Sequence, residues 1–180
     1  AHLWLSEGFA TYFTDIYWQH AHGEEAFKKR LQKERNEVID FVKTNEHPVV
    51  DSLSSYMDLL NANSYQKGAW VLHMLRNILI DIKTMKEDRF FAMMKDFYTT
   101  YQGKRASTKD FMTTVEKHVG MDMSWFFNQW VYGTSIPKYT YATKTEKQAD
   151  GSYKVTMRVK QESVPAGFQM PIPLEVNFGD

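Results

Sequence analysis

The chain has 180 residues, with 22 Lys and Arg set against 22 Asp and Glu, so its formal net charge is zero. That balance gives no electrostatic basis for binding nucleic acid or an anionic membrane surface. The absence of cysteine removes disulfides, thiolate metal sites and a cysteine nucleophile. An apolar fraction of 43% and an aromatic fraction of 15% argue for a packed core rather than disorder. No apolar stretch reaches the ~18–20 residues needed to span a bilayer.

Taken in chain order, the first two-thirds read as helices. Ser6 is placed to cap the first, with Phe9, Ala10, Phe13, Ile16 and Tyr17 as its apolar stripe and Gly23 as its stop. Glu24 to Val42 is charged, with a partial stripe of Phe27, Leu31, Val38, Phe41 and Val42. His47-Pro48 breaks the pattern, because the residue before proline avoids helical geometry. A strong helix is expected over 63–82, with Ala69, Leu72, Leu75, Leu79 and Ile82 on one side. Phe90, Met94, Phe97 and Tyr101 mark another. Ser107 to Asp110 has the form of a capping box ahead of Phe111, Met112, Val115 and Val119. Asp122 is placed to cap a short last helix carrying Trp125, Phe126 and Trp130.

The pattern changes between residues 134 and 138. TSIPKYTYATKT and SYKVTMRVKQES alternate apolar and polar residues about a turn at Asp150-Gly151, as paired strands do. PIPLEVNFG reads as a third strand, so the sheet is expected to be the opening of a larger β-domain.

Spacing alone identifies no reaction. His20, His22 and Glu24 cluster near Gly23, but residues two apart on a helix point in nearly opposite directions, and a helix end favours His through its dipole. His47, His73 and His118 stand alone in the sequence, and the ten methionines fit core filling better than a cofactor box. No GxGxxG, GxxxxGK[ST], GxSxG or HExxH is present. Glu7 by itself is a carboxylate favoured in a helix's first turn, and Tyr65 an aromatic at a helix start.

Three segments carry more. HLWLSEGFATYF (2–13) resembles the W-L-N-E-G-F-A-x-Y segment of the membrane alanyl aminopeptidase family of zinc metallopeptidases, the gluzincin aminopeptidases related to leukotriene hydrolase. SYQKGAWVLHML (64–75) resembles that family's Y-x-K-G-A-x-V-L-x-M-L segment, and FFNQWVYGTSIPKYTY (126–141) its F-F-x-x-W-V-x-x-x-G-x-P stretch. They occur in family order. The resemblance implies a mainly α chain followed by β: residues 1–135 form the C-terminal helical half of a thermolysin-like catalytic domain, and 136–180 the first strands of a β-sandwich.

It also implies chemistry. Glu7 matches the family's zinc-ligand glutamate, and Tyr65 the tyrosine whose hydroxyl stabilises the oxyanion of the tetrahedral intermediate. Zinc would be the cofactor of the parent protein, lowering the pKa of its bound water towards ~7. The two histidines and general-base glutamate of HExxH, and the segment that grips the substrate's free amine, would lie before Ala1. The expected parent is thus a zinc aminopeptidase acting on peptide substrates, with this piece needing the remainder of the parent chain and inactive alone. The alternatives are a non-catalytic scaffold of the same fold and a self-sufficient helical interaction module. Ser6 stands where the family commonly has Asn, an exchange between two good caps. The compartment is left open, whether periplasmic, extracellular or cytoplasmic.

Overall fold

The computed structural model describes residues 2–174, which fall into two units. The first is helical and runs to Thr134, taking the chain in again from Gln169; the second, Ser135–Phe168, is a β-hairpin. The order of helices followed by antiparallel strands is the one expected.

The helical unit opens with α1 (Trp4–His22) and α2 (Glu24–Val42), separated by Gly23 at φ +85°. After a long loop come a π-helical turn (Asn63–Lys67), continuous with α3 (Gly68–Ile78), then α4 (Asp88–Tyr101), α5 (Thr108–Val119) and α6 (Ser124–Trp130). The π turn is closed by i→i−5 bonds: Lys67 N–H donates to the Ala62 carbonyl at 2.9 Å, and Gly68 N–H donates to that of Asn63. One extra residue in a turn re-aims the side chains around it.

The rotation of α1 is set by glycine. A Cβ on Gly8 would lie 2.8 Å from the Cα of Gly68, and one on Gly68 would lie 3.0 Å from the Cα of Gly8. The two helices therefore meet backbone to backbone, a separation no larger residue permits. With Gly8 facing α3, the buried face of α1 is Trp4, Gly8, Tyr12 and Asp15. The expected stripe is thus displaced: Phe13 and Tyr17 are exposed, while Phe9 and Ile16 are only partly covered. Ser6 does not cap α1 either. Leu3 holds the cap position with helical backbone, and the Ser6 hydroxyl, inside the first turn, donates to the Leu3 carbonyl at 2.9 Å.

Two other boundaries move. The helix expected to run to 82 ends at Ile78, because the Asp81 carboxylate accepts from the Lys83 and Thr84 amides and so favours a turn over helix. Ile82 is left outside, 86% exposed. In α6 the cap position belongs to Met123, while Asp122 accepts from the Ser124 amide at 3.1 Å and its hydroxyl at 2.7 Å. The capping box of α5 forms in both halves, with the Ser107 hydroxyl taking the Asp110 amide and the Asp110 carboxylate taking the Ser107 amide.

The core is aromatic. Trp4, Phe9, Phe97, Phe111 and Phe127 meet largely edge to face, with Phe111 touching each of the others. Among the described residues no helix is long and apolar enough to cross a membrane.

In the second unit, β1 (Lys138–Lys147) pairs antiparallel with β2 (Tyr153–Glu162), from Lys138 opposite Glu162 to Lys147 opposite Tyr153. That register places Tyr139, Tyr141, Val155, Met157 and Val159 on one face and Lys144, Lys154, Arg158 and Lys160 on the other. Of the expected third strand, 171–174 is not strand, and 175–179 lies outside the described residues.

Replacing Gly8 with Ala tests the crossing. Intrinsic propensity favours Ala inside a helix by about 1 kcal/mol. The clash with Gly68 should override it and destabilise the protein by about 1–3 kcal/mol or more, read as a lower denaturant midpoint.

Candidate functional site

The Gly8–Gly68 crossing brings the first turn of α1 onto the π turn. Glu7 precedes the glycine on α1, and Tyr65 lies three residues before the glycine on α3. Both are half-buried, and the Tyr65 hydroxyl faces the Glu7 carboxylate closely enough to feel its charge. The Ser6 hydroxyl oxygen also lies 3.2 Å from that carboxylate, sharing its one proton between it and the nearer Leu3 carbonyl. Among the described residues no Lys, Arg or His forms an ion pair with Glu7. This is an anionic group held by a helix crossing and faced by a phenol, with its charge uncompensated by the chain.

Electrostatics keep that phenol protonated. Partial desolvation, then the neighbouring Glu7 carboxylate, and last the nearby Tyr56 hydroxyl, hold the Tyr65 pKa above its ordinary value. At neutral pH Tyr65 is therefore a donor.

The π turn is held from both ends. Lys67, 2% exposed, donates to the Gly133 carbonyl at 3.2 Å, and burial pushes its ammonium down to about 8. The buried Asn63 side chain donates to the His47 carbonyl. Gly133 itself has no room for a side chain, since a Cβ there would lie 2.6 Å from the Gln129 carbonyl oxygen.

The histidines have other duties. His22 stacks on Trp18 with ring centroids 4.3 Å apart, and Glu24 accepts from Gln19, so the His20-His22-Glu24 cluster does not converge. His73 is enclosed by Tyr12, Phe27 and Trp70, its Nδ1 2.9 Å from the Tyr12 hydroxyl, and burial pushes it down to about 4. His118 meets Asp96, His47 meets Asp51, and His2 meets Thr108. Sequence reasoning missed the buried charged groups: Asp15, Glu34 and Arg76, the last paired with Glu87 at 2.6 Å. Their one sequence signal is a charge at a core spacing, as Asp15 stands to Trp4, Gly8 and Tyr12.

No group of three or more His, Cys, Asp or Glu among the described residues could hold a metal ion. A catalytic zinc takes three protein ligands and a water. Glu7 alone does not fit that requirement, and these residues by themselves do not make a zinc centre.

The sequence model of the peptidase family M1 domain matches residues 1–130. The chain belongs to this family. Glutamyl aminopeptidase of Rattus norvegicus is 25% identical over 96% of this chain and 18% of its own length. Aminopeptidase O of Homo sapiens is 22% identical over 88% of this chain and 22% of its own. The chain thus spans less than a quarter of these curated relatives. The crystal structure of Legionella pneumophila aminopeptidase A in complex with aspartic acid matches with a TM-score of 0.60 at 17% identity, over 88% of this chain and 17% of that one. That likeness shows the fold, helices followed by antiparallel strands.

Neutralising the carboxylate should release the phenol. In Glu7→Gln the Tyr65 pKa should fall towards the ordinary tyrosine value, because the charge opposing phenolate is gone. Titration of ¹³C-tyrosine NMR signals, with Tyr65 assigned by its loss in Tyr65→Phe, measures the shift.

Proposed function

We propose that this chain is part of a zinc-dependent aminopeptidase that removes N-terminal residues from peptides. The observation that carries the reading is Glu7, a half-buried carboxylate with no cation partner, set against a protonated Tyr65. Membership of the M1 family supports it.

In this reading Glu7 is one ligand of a zinc ion whose other ligands lie outside these 180 residues. Tyr65 donates a hydrogen bond to the oxyanion that forms at the scissile carbonyl. Its raised pKa suits the task, since a donor must keep its proton at working pH. The Gly8–Gly68 crossing and the Lys67–Gly133 bond hold the two groups in place. Residues 1–135 serve as the helical part of the catalytic domain and 136–180 as the beginning of a β-domain. With one ligand, the 180 residues alone bind zinc poorly and do not hydrolyse peptides, because affinity comes from several convergent ligands.

The test is hydrolysis of fluorogenic aminoacyl amides, including Glu, Asp, Ala and Leu, by the zinc-supplied full-length protein. Amides with a free amine should be cleaved and their N-acetylated counterparts spared. Glu7→Ala should lose both zinc, measured by elemental analysis, and activity. Tyr65→Phe should keep zinc and lose turnover by ~10²–10³. Full zinc occupancy and activity in Glu7→Ala would overturn the assignment.

A further inference from the structure

Outside that site, the least expected chemistry lies between α1 and α2. Asp15 is fully buried and Glu34 is 5% exposed, yet one guanidinium serves both. Arg30 Nε donates to Asp15 Oδ1 at 2.6 Å, while Arg30 Nη2 stands 3.9 Å from Glu34 Oε1. Each acid keeps a second buried oxygen, Asp15 Oδ2 and Glu34 Oε2, with no other donor to satisfy it. The two carboxyl groups thus converge on that single guanidinium. Two ionised carboxylates could not satisfy one another there, because each would present only lone pairs.

We propose that Asp15 and Glu34 share one proton at neutral pH, so that the pairing of α1 with α2 is a clasp that loosens as pH rises. The unequal distances to Arg30 decide where the proton sits. Asp15, at 2.6 Å, is the ionised partner of the guanidinium, and Glu34 is the acid that donates to Asp15. Burial raises both groups; for Glu34 the Asp15 charge adds to it and Arg30 opposes it, and its carboxyl is pushed up to about 8. On α2 itself Glu37 adds a smaller push in the same direction. From the π turn, which packs against α2, the charged group is Lys67, and it donates instead to Gly133. From α3, Trp70 donates to the Leu31 carbonyl. Trp18 lies under Arg30, its ring centroid 5.4 Å away.

The sign follows from proton counting. An unfolded Glu titrates near 4.5, whereas the folded group holds its proton to about 8. Between those values the folded state carries a proton that the unfolded state has released, so stability falls as pH rises and levels off above the window. His73, pushed down to about 4, and Lys67, pushed down to about 8, also contribute to the pH dependence. A variant difference cancels them.

The experiment is the denaturant midpoint of the protein and of Glu34→Gln from pH 5 to pH 9. The glutamine amide can donate to Asp15 but does not titrate. The variant should gain on the parent steadily as pH rises, with a difference slope of about one proton through the window. Infrared spectra of the folded parent at pH 7 should also show the carbonyl band of a buried carboxylic acid, lost above the window. A difference flat from pH 5 to 9 would overturn the proposal. Should Glu34→Gln fail to fold, the infrared band decides: its absence at pH 7 overturns the proposal and its presence supports it. Neither readout depends on peptidase activity, so this clasp and the zinc-aminopeptidase reading stand or fall separately.

Discussion

The contact of Gly8 with Gly68 is the constraint on which the rest of the helical unit depends. Two helices that meet through backbone atoms have little freedom to slide or rotate, since either motion drives a side chain into the opposing chain. Once α1 is fixed, Trp4 enters the core, where its indole N–H finds the Thr108 hydroxyl at 2.9 Å. That bond ties the start of α1 to the start of α5. Phe111 on α5 gathers Trp4, Phe9, Phe97 and Phe127 around itself, so the fold is organised by ring contacts reaching back to a pair of glycines.

The same rotation turns a row of polar groups inward. Tyr12 is fully buried, with its hydroxyl against His73 and Arg76. Arg76 then reaches Gln19 and, in fork geometry, both oxygens of Glu87 at 2.8 and 2.6 Å. A buried guanidinium is tolerable when its donors are occupied, and this network occupies them. The Asp15–Arg30–Glu34 cluster a turn further on has an acid in excess. A proton there meets the same demand that Glu87 meets for Arg76.

Glu7, like the buried Lys67, departs from this pattern of paired charge. It sits at the edge of the crossing, half-buried, with the Ser6 and Tyr65 hydroxyls beside it and no cation. In the proposed reading that carboxylate is the group placed to hold a positive ion. The π turn serves the same corner. By adding a residue just ahead of α3 it sets the direction of Tyr65, and the bonds from Lys67 and Asn63 anchor it at both ends.

Much of this was legible in the residues. Alternating and helical spacings gave the order of elements, the Ser107–Asp110 box marked the start of α5 to the residue, and Gly23 parted α1 from α2. Three motif-like segments pointed to a family in which the sequence model of the M1 domain places the chain. The inward face of α1 was not legible, because an apolar stripe through Phe9 and Phe13 is locally as good as one through Trp4 and Tyr12. Only the partner helix distinguishes them, by requiring glycine at the contact. The end of α3 escaped for a similar reason, since an apolar periodicity that continues to Ile82 says nothing of an aspartate free to cap a turn. The sequence by itself determined the elements and the two residues proposed for chemistry, Glu7 and Tyr65. Tertiary structure alone decided that they face each other, and that Asp15 and Glu34 share one arginine in the interior. Proximity between residues 58 apart in the chain is fixed by how helices cross, which no local periodicity records.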